Sequence, residues 1–264
     1  MAETGQSPKS APSAGQDRSS LAKYAADWLT PDAAPKYARS REPELYRYYD
    51  KEEALVGQWL RLCEPGAVVL DLPCGTGRFS QLVADCGHRL VRADLSHQMV
   101  AHARQLGPNH HALGDLCCDL ADPPLAAGSV EIVLVWRLFH HCRTPEDRET
   151  VLRQARRLAK RYVIISYYNR ASMTYWTKRV LRKLLLRKPK ARRAIWTGEL
   201  IRIAERVGLV PLQVHHYRRG ISINSAACFA VRGKLGTGKT GGDSHLFETI
   251  VSVDSRLDGG VLGW

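Results

Sequence analysis

"VVLDLPCGTGRFSQ", residues 68–81, decides the fold. A continuous apolar run stops on Asp71, a turn carries Gly75 and Gly77, and from about Phe79 the apolar spacing becomes helical. That order reads as a strand, a tight loop and a helix N-terminus. In an open parallel sheet, ligands sit beyond the carboxyl ends of the strands, where glycines let the backbone come close and the helix offers N–H donors. Asp94 ends the next strand, where a carboxylate can accept hydrogen bonds from the hydroxyl pair of a ribose. The pattern calls for a nucleoside-containing cofactor without saying which.

Outward from this stretch, strands and helices alternate. Strands are expected at 67–71, 88–94, 110–116, 129–136 and 162–168, separated by helices at 78–87, 96–107 and 144–161. Such alternation argues for parallel pairing. The 144–161 helix has Thr144 as N-cap, Pro145 in its first position, acids in its first turn and bases in its last. A further helix at 198–208, N-capped by Thr197, precedes two β-like runs at 209–219 and 225–232, which form a terminal antiparallel hairpin. Upstream, Leu45, Tyr48, Leu55, Val56, Trp59 and Leu60 have the spacing of an amphipathic helix over 44–63. The organisation expected is a disordered tail (1–20), a helical cap (21–63), a main domain (64–233) and a flexible tail (234–264).

The chain of 264 residues is 44% hydrophobic, enough for one main domain with tails. Without a membrane-length apolar run or a signal-peptide core, it is expected to be soluble and cytoplasmic. Seven cysteines with no CxxC pair and no zinc-type Cys/His spacing read as reduced thiols, with neither disulfide nor metal. Net charge is +13, and ten Lys or Arg residues without an acid lie between Arg170 and Gly198.

At this level of detail "VLDLPCGTGRFS" followed by "ADLSHQMV" resembles the first two motifs of the class I S-adenosylmethionine-dependent methyltransferases, D-x-G-C-G-T-G and D-x-S-x-x-M. "DLADPPLAAGSVEIVLVWRLFHH" and "LRQARRLAKRYVIIS" are similar to the family's next segments, in the right order, so that the likeness spans about residues 45–232 and includes methyltransferases of the ubiquinone-biosynthesis type. The resemblance implies an α/β, Rossmann-like class I methyltransferase fold: a seven-stranded, mostly parallel sheet with a terminal antiparallel hairpin. It also implies S-adenosylmethionine as cofactor. Asp71 and the Gly75–Gly77 backbone would hold the methionine portion, Asp94 the ribose hydroxyls, and Asp119 with the Leu120 backbone the adenine edge, with Pro73, Cys74, Leu95 and Val135 as further cofactor-binding residues. Pro73 stands where the family commonly has glycine, which removes an N–H, and Glu131 where aspartate is more usual.

His140, His141 and Tyr168 follow the fourth and fifth strands and are the candidate catalytic residues. Methyl transfer is an in-line displacement, so alignment and water exclusion carry much of the work, and a base is needed only when the acceptor loses a proton. The acceptor expected is a small-molecule or lipid-like compound, with an anionic one favoured by the charge. The 170–196 segment, a basic amphipathic stretch with Tyr175 and Trp176, suits a lid over such a substrate, a membrane-surface contact or RNA; a solvated basic face is the plain alternative. Other readings stay open: an RNA-modifying methyltransferase, a non-catalytic binding protein on the same fold, and a dinucleotide-dependent dehydrogenase, in which Ser80 would replace the third glycine of G-x-G-x-x-G. The last lacks a second domain with its own acid/base set. No N/D-P-P-Y motif follows the fourth strand, which disfavours amino-adenine and glutamine N-methylation. "GKLGTGKT" (233–240) matches a phosphate-loop pattern, but "GGDS" follows where a helix is required.

Overall fold

The structure, a computed structural model, describes residues 30, 33–39, 48–185 and 193–233. The apolar runs pair into one seven-stranded sheet: β1 (Val68–Asp71), β2 (Arg89–Asp94), β3 (Ala112–Cys117), β4 (Val130–Val135), β5 (Ala159–Tyr168), β6 (Leu209–His216) and β7 (Asn224–Val231). Their order is β3-β2-β1-β4-β5-β7-β6. The first five pair in parallel, and β7 runs antiparallel to both β5 and β6. The order reverses between β1 and β4, which opens a crevice at their carboxyl ends.

Side-chain alternation explains why these runs are almost wholly apolar. Leu70, Val133, Val163 and Ile165 face one side, against Val151, Leu152, Ala155 and Leu158 of α5 (Pro145–Leu158) and Leu200 and Ile203 of α7 (Thr197–Arg206). Val69, Ile132, Leu134 and Ile164 face the other, against Leu55, Val56, Trp59 and Leu60 of α2 (Tyr49–Leu60) and Val83 of α3 (Ser80–Asp85). A central parallel strand covered on both faces must be apolar at every position. α1 (Ala33–Arg39) packs on α4 (His97–Leu106) through Ala34, Tyr37 and Met99, and α6 (Met173–Leu184) follows β5. Among the described residues no helix is long and apolar enough to cross a membrane.

Several boundaries differ from the sequence reading. The 144–161 helix stops at Leu158 because Ala159 turns extended and pairs with Val130 of β4; strand pairing overrides the local helix preference of Ala-Lys-Arg. His110 and His111 form a 3-10 turn rather than the start of β3, with His111 Nδ1 against the His88 carbonyl at 3.0 Å. Thr197 is the first residue of α7 and not its cap; its hydroxyl pairs with Tyr167 Oη at 2.9 Å. The cap region holds α1 and α2, and the helix expected over 44–63 begins at Tyr49. The tail assignments at 1–20 and 234–264, most of "GKLGTGKT", and the bases Arg187, Lys188, Lys190 and Arg192 lie outside the described residues. Glu131 accepts from Val68 N at 2.8 Å and Lys160 Nζ at 2.6 Å, so it ties the amino ends of the strands together, away from the crevice.

A buried charge holds the β2–β3 side. Arg92 is 1% exposed, and its Nε donates to Asp115 Oδ1 at 2.6 Å, with Nη1 on the Ala103 carbonyl at 3.1 Å and Nη2 on Asn109 Oδ1 at 2.9 Å. Removing one partner of such a pair leaves a buried charge unmatched. Asp115→Ala is expected to lower unfolding free energy by about 3 kcal/mol in urea titration, and Asp115→Asn, which keeps an acceptor, by less.

Candidate functional site

The loop after β1 is shaped by strand carbonyls. Leu72 N donates to Leu134 O at 3.0 Å and Cys74 N to Ala93 O at 2.7 Å, so residues flanking Pro73 spend their donors on β4 and β2. Proline at 73 therefore leaves these two anchors of the loop in place. Gly75 and Gly77 adopt φ of 53° and 81°, in the left-handed region that glycine enters without strain. A Cβ on Gly77 would lie 2.9 Å from Ala103 Cβ, so this glycine serves close packing of the loop on α4. Gly75 N donates to Asp94 Oδ2 at 2.9 Å, and Ser96 N donates to Asp94 Oδ1 at 2.9 Å. Asp94 thus ties the loop to the end of β2.

Asp71 lies beneath this loop, 1% exposed, with neither carboxylate oxygen hydrogen-bonded. Burial pushes its carboxyl well above the usual carboxylate range; the Asp94 charge adds to this, and Arg78 opposes it. Asp94 is also raised by burial, less so because the Ser96 and Gly75 N–H groups favour its charged form.

The crevice is floored by Asp71, Leu72 and Pro73 and walled by Cys74, Gly75 and Thr76 on one side and Asp94, Leu95, Ser96 and Met99 on the next. Cys118, Asp119 and Leu120 after β3, Trp136, Arg137, Leu138 and His141 after β4, and Tyr37 of α1 complete it, with Arg78 and Phe79. Of the residues singled out from the sequence, Asp71, Pro73, Cys74, Gly75, Asp94, Leu95, Asp119, Leu120 and His141 line the crevice. Four do not. Gly77 packs on α4, and Val135 is turned into the core that β4 shares with α5. His140 and Tyr168 are buried behind the wall, their rings stacked at 4.2 Å, and His141 touches His140 at 3.9 Å between centroids. Asp119 Oδ1 also accepts from Ala121 N at 2.9 Å, which fixes the turn after β3.

A third buried acid went unread in the sequence. Glu52 of α2 is 2% exposed and accepts from Arg78 Nη1 at 2.5 Å and Trp136 Nε1 at 3.1 Å, with Arg137 Nη1 at 3.8 Å. It lies four residues from both Tyr48 and Val56 on the apolar stripe of that helix, and an acid in that stripe is the signal that was available. Arg78 also donates to Tyr49 O at 2.9 Å and sits 4.3 Å over the Tyr49 ring. Arg137 holds φ 60°, unusual for a non-glycine residue; its N–H donates to Ser166 Oγ at 2.7 Å and Nη2 to Tyr168 Oη at 3.3 Å. Arg137 lines the crevice on the β4 side.

All seven cysteines are free, and burial raises the thiols of Cys118 to about 11 and Cys142 to about 12. Among the described residues no His/Cys/Asp/Glu cluster is arranged to hold a metal ion.

A carboxyl whose folded pKa is raised destabilises the fold progressively as pH climbs from its unfolded value toward the folded one, because only the unfolded chain then releases the proton. Asp71→Asn removes this dependence. The melting temperature of the variant is expected to gain on wild type as pH rises above about 4, read by calorimetry; a constant gap would mean that Asp71 is ionised and compensated.

Residues 69–161 match the family described as "Methyltransferase domain". No curated protein matches the chain. Among solved structures, the magnesium protoporphyrin IX methyltransferase of Synechocystis PCC 6803 with bound S-adenosylhomocysteine is similar at 17% identity and a TM-score of 0.66, over 80% of this chain and 99% of that one. A TehB-like S-adenosylmethionine-dependent methyltransferase of Corynebacterium glutamicum is similar at 19% identity and a TM-score of 0.53, over 82% and 100%. The PH0226 protein of Pyrococcus horikoshii is similar at 16% identity and a TM-score of 0.56, over 78% and 98%.

Proposed function

From a chain that has the class I S-adenosylmethionine-dependent methyltransferase fold, we infer an enzyme that binds S-adenosylmethionine in the β1–β4 crevice and methylates a small, anionic or lipid-like acceptor. Asp71 is the observation that carries the reading. A buried carboxylate with both oxygens unmatched is costly unless a cation completes it, and the cofactor's ammonium group is such a cation. When bound, the cofactor supplies an electrophilic methyl group on a sulfonium.

The chain's own residues divide the remaining work. Asp71 would hold the ammonium, and Asp94 the ribose hydroxyls on the lone pairs left after it anchors Gly75. Leu95, Met99 and Leu120 offer apolar walls to a flat base, and Asp119 an acceptor for its amine. Trp136, Arg137 and His141 lie on the β4 side, where the acceptor would be aligned. Arg137, braced by Tyr168 and Glu52, would orient an anionic group. His141 is the histidine that opens on the crevice and would take the proton from a hydroxyl or amine acceptor; His140 and Tyr168 act through it as positioning residues.

Calorimetry should show S-adenosylhomocysteine binding to the purified chain and no binding of NADH. Asp94→Ala is expected to weaken the former by about 1.5–3 kcal/mol, since the substitution removes a charged acceptor and frees the glycine loop. His140→Ala should leave that affinity within about twofold of wild type. NADH binding in place of S-adenosylhomocysteine would return the crevice to dinucleotide chemistry.

A further inference from the structure

We propose that α6 is an in-plane docking helix for an anionic membrane surface. The helix leaves the sheet a few residues after Tyr168, at the carboxyl edge where the crevice opens. Its first turn is held firmly. Ser172 caps it by accepting from Tyr175 N at 3.1 Å, and Met173 N and Thr174 N donate to the Gly220 and Ile221 carbonyls at 2.7 and 3.1 Å.

Beyond that turn the helix lies largely exposed among the described residues. None of its residues is buried, and Met173, Trp176, Val180, Leu181 and Leu184 are 58, 42, 54, 56 and 74% exposed. Their spacing of three and four residues sets them on one face, whereas Lys178, Arg179, Arg182 and Lys183 occupy the other face and its margins, and no acid is present. Ile221, 43% exposed, adjoins the first turn.

A helix packed in a globular protein turns such a stripe inward, and monomers seldom expose so long an apolar row. Large apolar side chains on one side with basic residues opposite are what the boundary between lipid headgroups and acyl chains accepts: the stripe enters the boundary, and the long basic side chains extend to the phosphates. RNA would use the charges and leave the aliphatic row in water. A second copy docked stripe to stripe would bring two sets of like charge to one seam.

Arg193 N donates to His140 O at 3.4 Å and Ile195 N to Tyr168 O at 2.8 Å, so the segment returning from α6 lies directly behind the crevice wall. This surface stands apart from the cofactor reading, and vesicles without cofactor test it alone.

The test is flotation of the full chain with vesicles of phosphatidylcholine, with and without about a third phosphatidylglycerol. Wild type should float with the anionic vesicles, and the bound fraction should fall as salt rises from about 0.1 to 0.5 M. The triple substitution Trp176→Ser, Val180→Ser, Leu184→Ser should lower partitioning at least about tenfold, and Lys178→Gln, Arg179→Gln, Lys183→Gln should do so by a similar factor. Both triples should bind S-adenosylhomocysteine, or share the wild-type melting temperature, as wild type does. Flotation of the apolar triple at the wild-type level overturns the proposal. So does a wild type that ignores both vesicles but retains single-stranded RNA on filters, or one whose apolar triple abolishes a dimer seen by sedimentation while vesicles go unbound.

Discussion

The unmatched carboxylate of Asp71 is the constraint on which the arrangement at the crevice depends. A buried carboxyl group without a hydrogen-bond partner is costly, and that of Asp71 holds none of the backbone around it. Here the carbonyls of Leu134 and Ala93 hold the N–H groups on either side of Pro73, and Asp94 holds that of Gly75. The loop's geometry is therefore fixed by other groups, and the buried Asp71 carboxyl takes no part in it.

Glu52 shows the opposite solution behind the same crevice. Its carboxylate is satisfied by Arg78 and the Trp136 indole, and through them α2, the glycine loop and the end of β4 become one unit. One acid is saturated and structural, whereas the other is left open toward the cleft. Proximity in the fold does not distinguish them; their hydrogen-bond partners do.

Much of this was legible in the sequence. Parallel pairing follows from alternating apolar runs and helix end signals, and Thr144, Asp71, Gly75 and Asp94 each carry a signal tied to a local conformation. What failed to read were properties of distant pairs. The end of α5 was decided by Val130 on another strand, and the role of Thr197 by Tyr167. His140 and Tyr168 look like crevice residues from their place after strands, but the 3-10 turn at Phe139–His141 directs one histidine inward and the other outward. Arg137 has no motif at all; its conformation depends on Ser166 across the sheet.

The distribution of thiols carries a consequence of another kind. Cys117 is exposed at the edge strand, whereas the other six are buried, Cys228 at 0% in the strand between β5 and β6. An alkylating reagent would meet Cys117 in the native chain and Cys228 only after the sheet opens. The two modification rates, followed by mass spectrometry on one sample, separate surface chemistry from sheet opening without an introduced label.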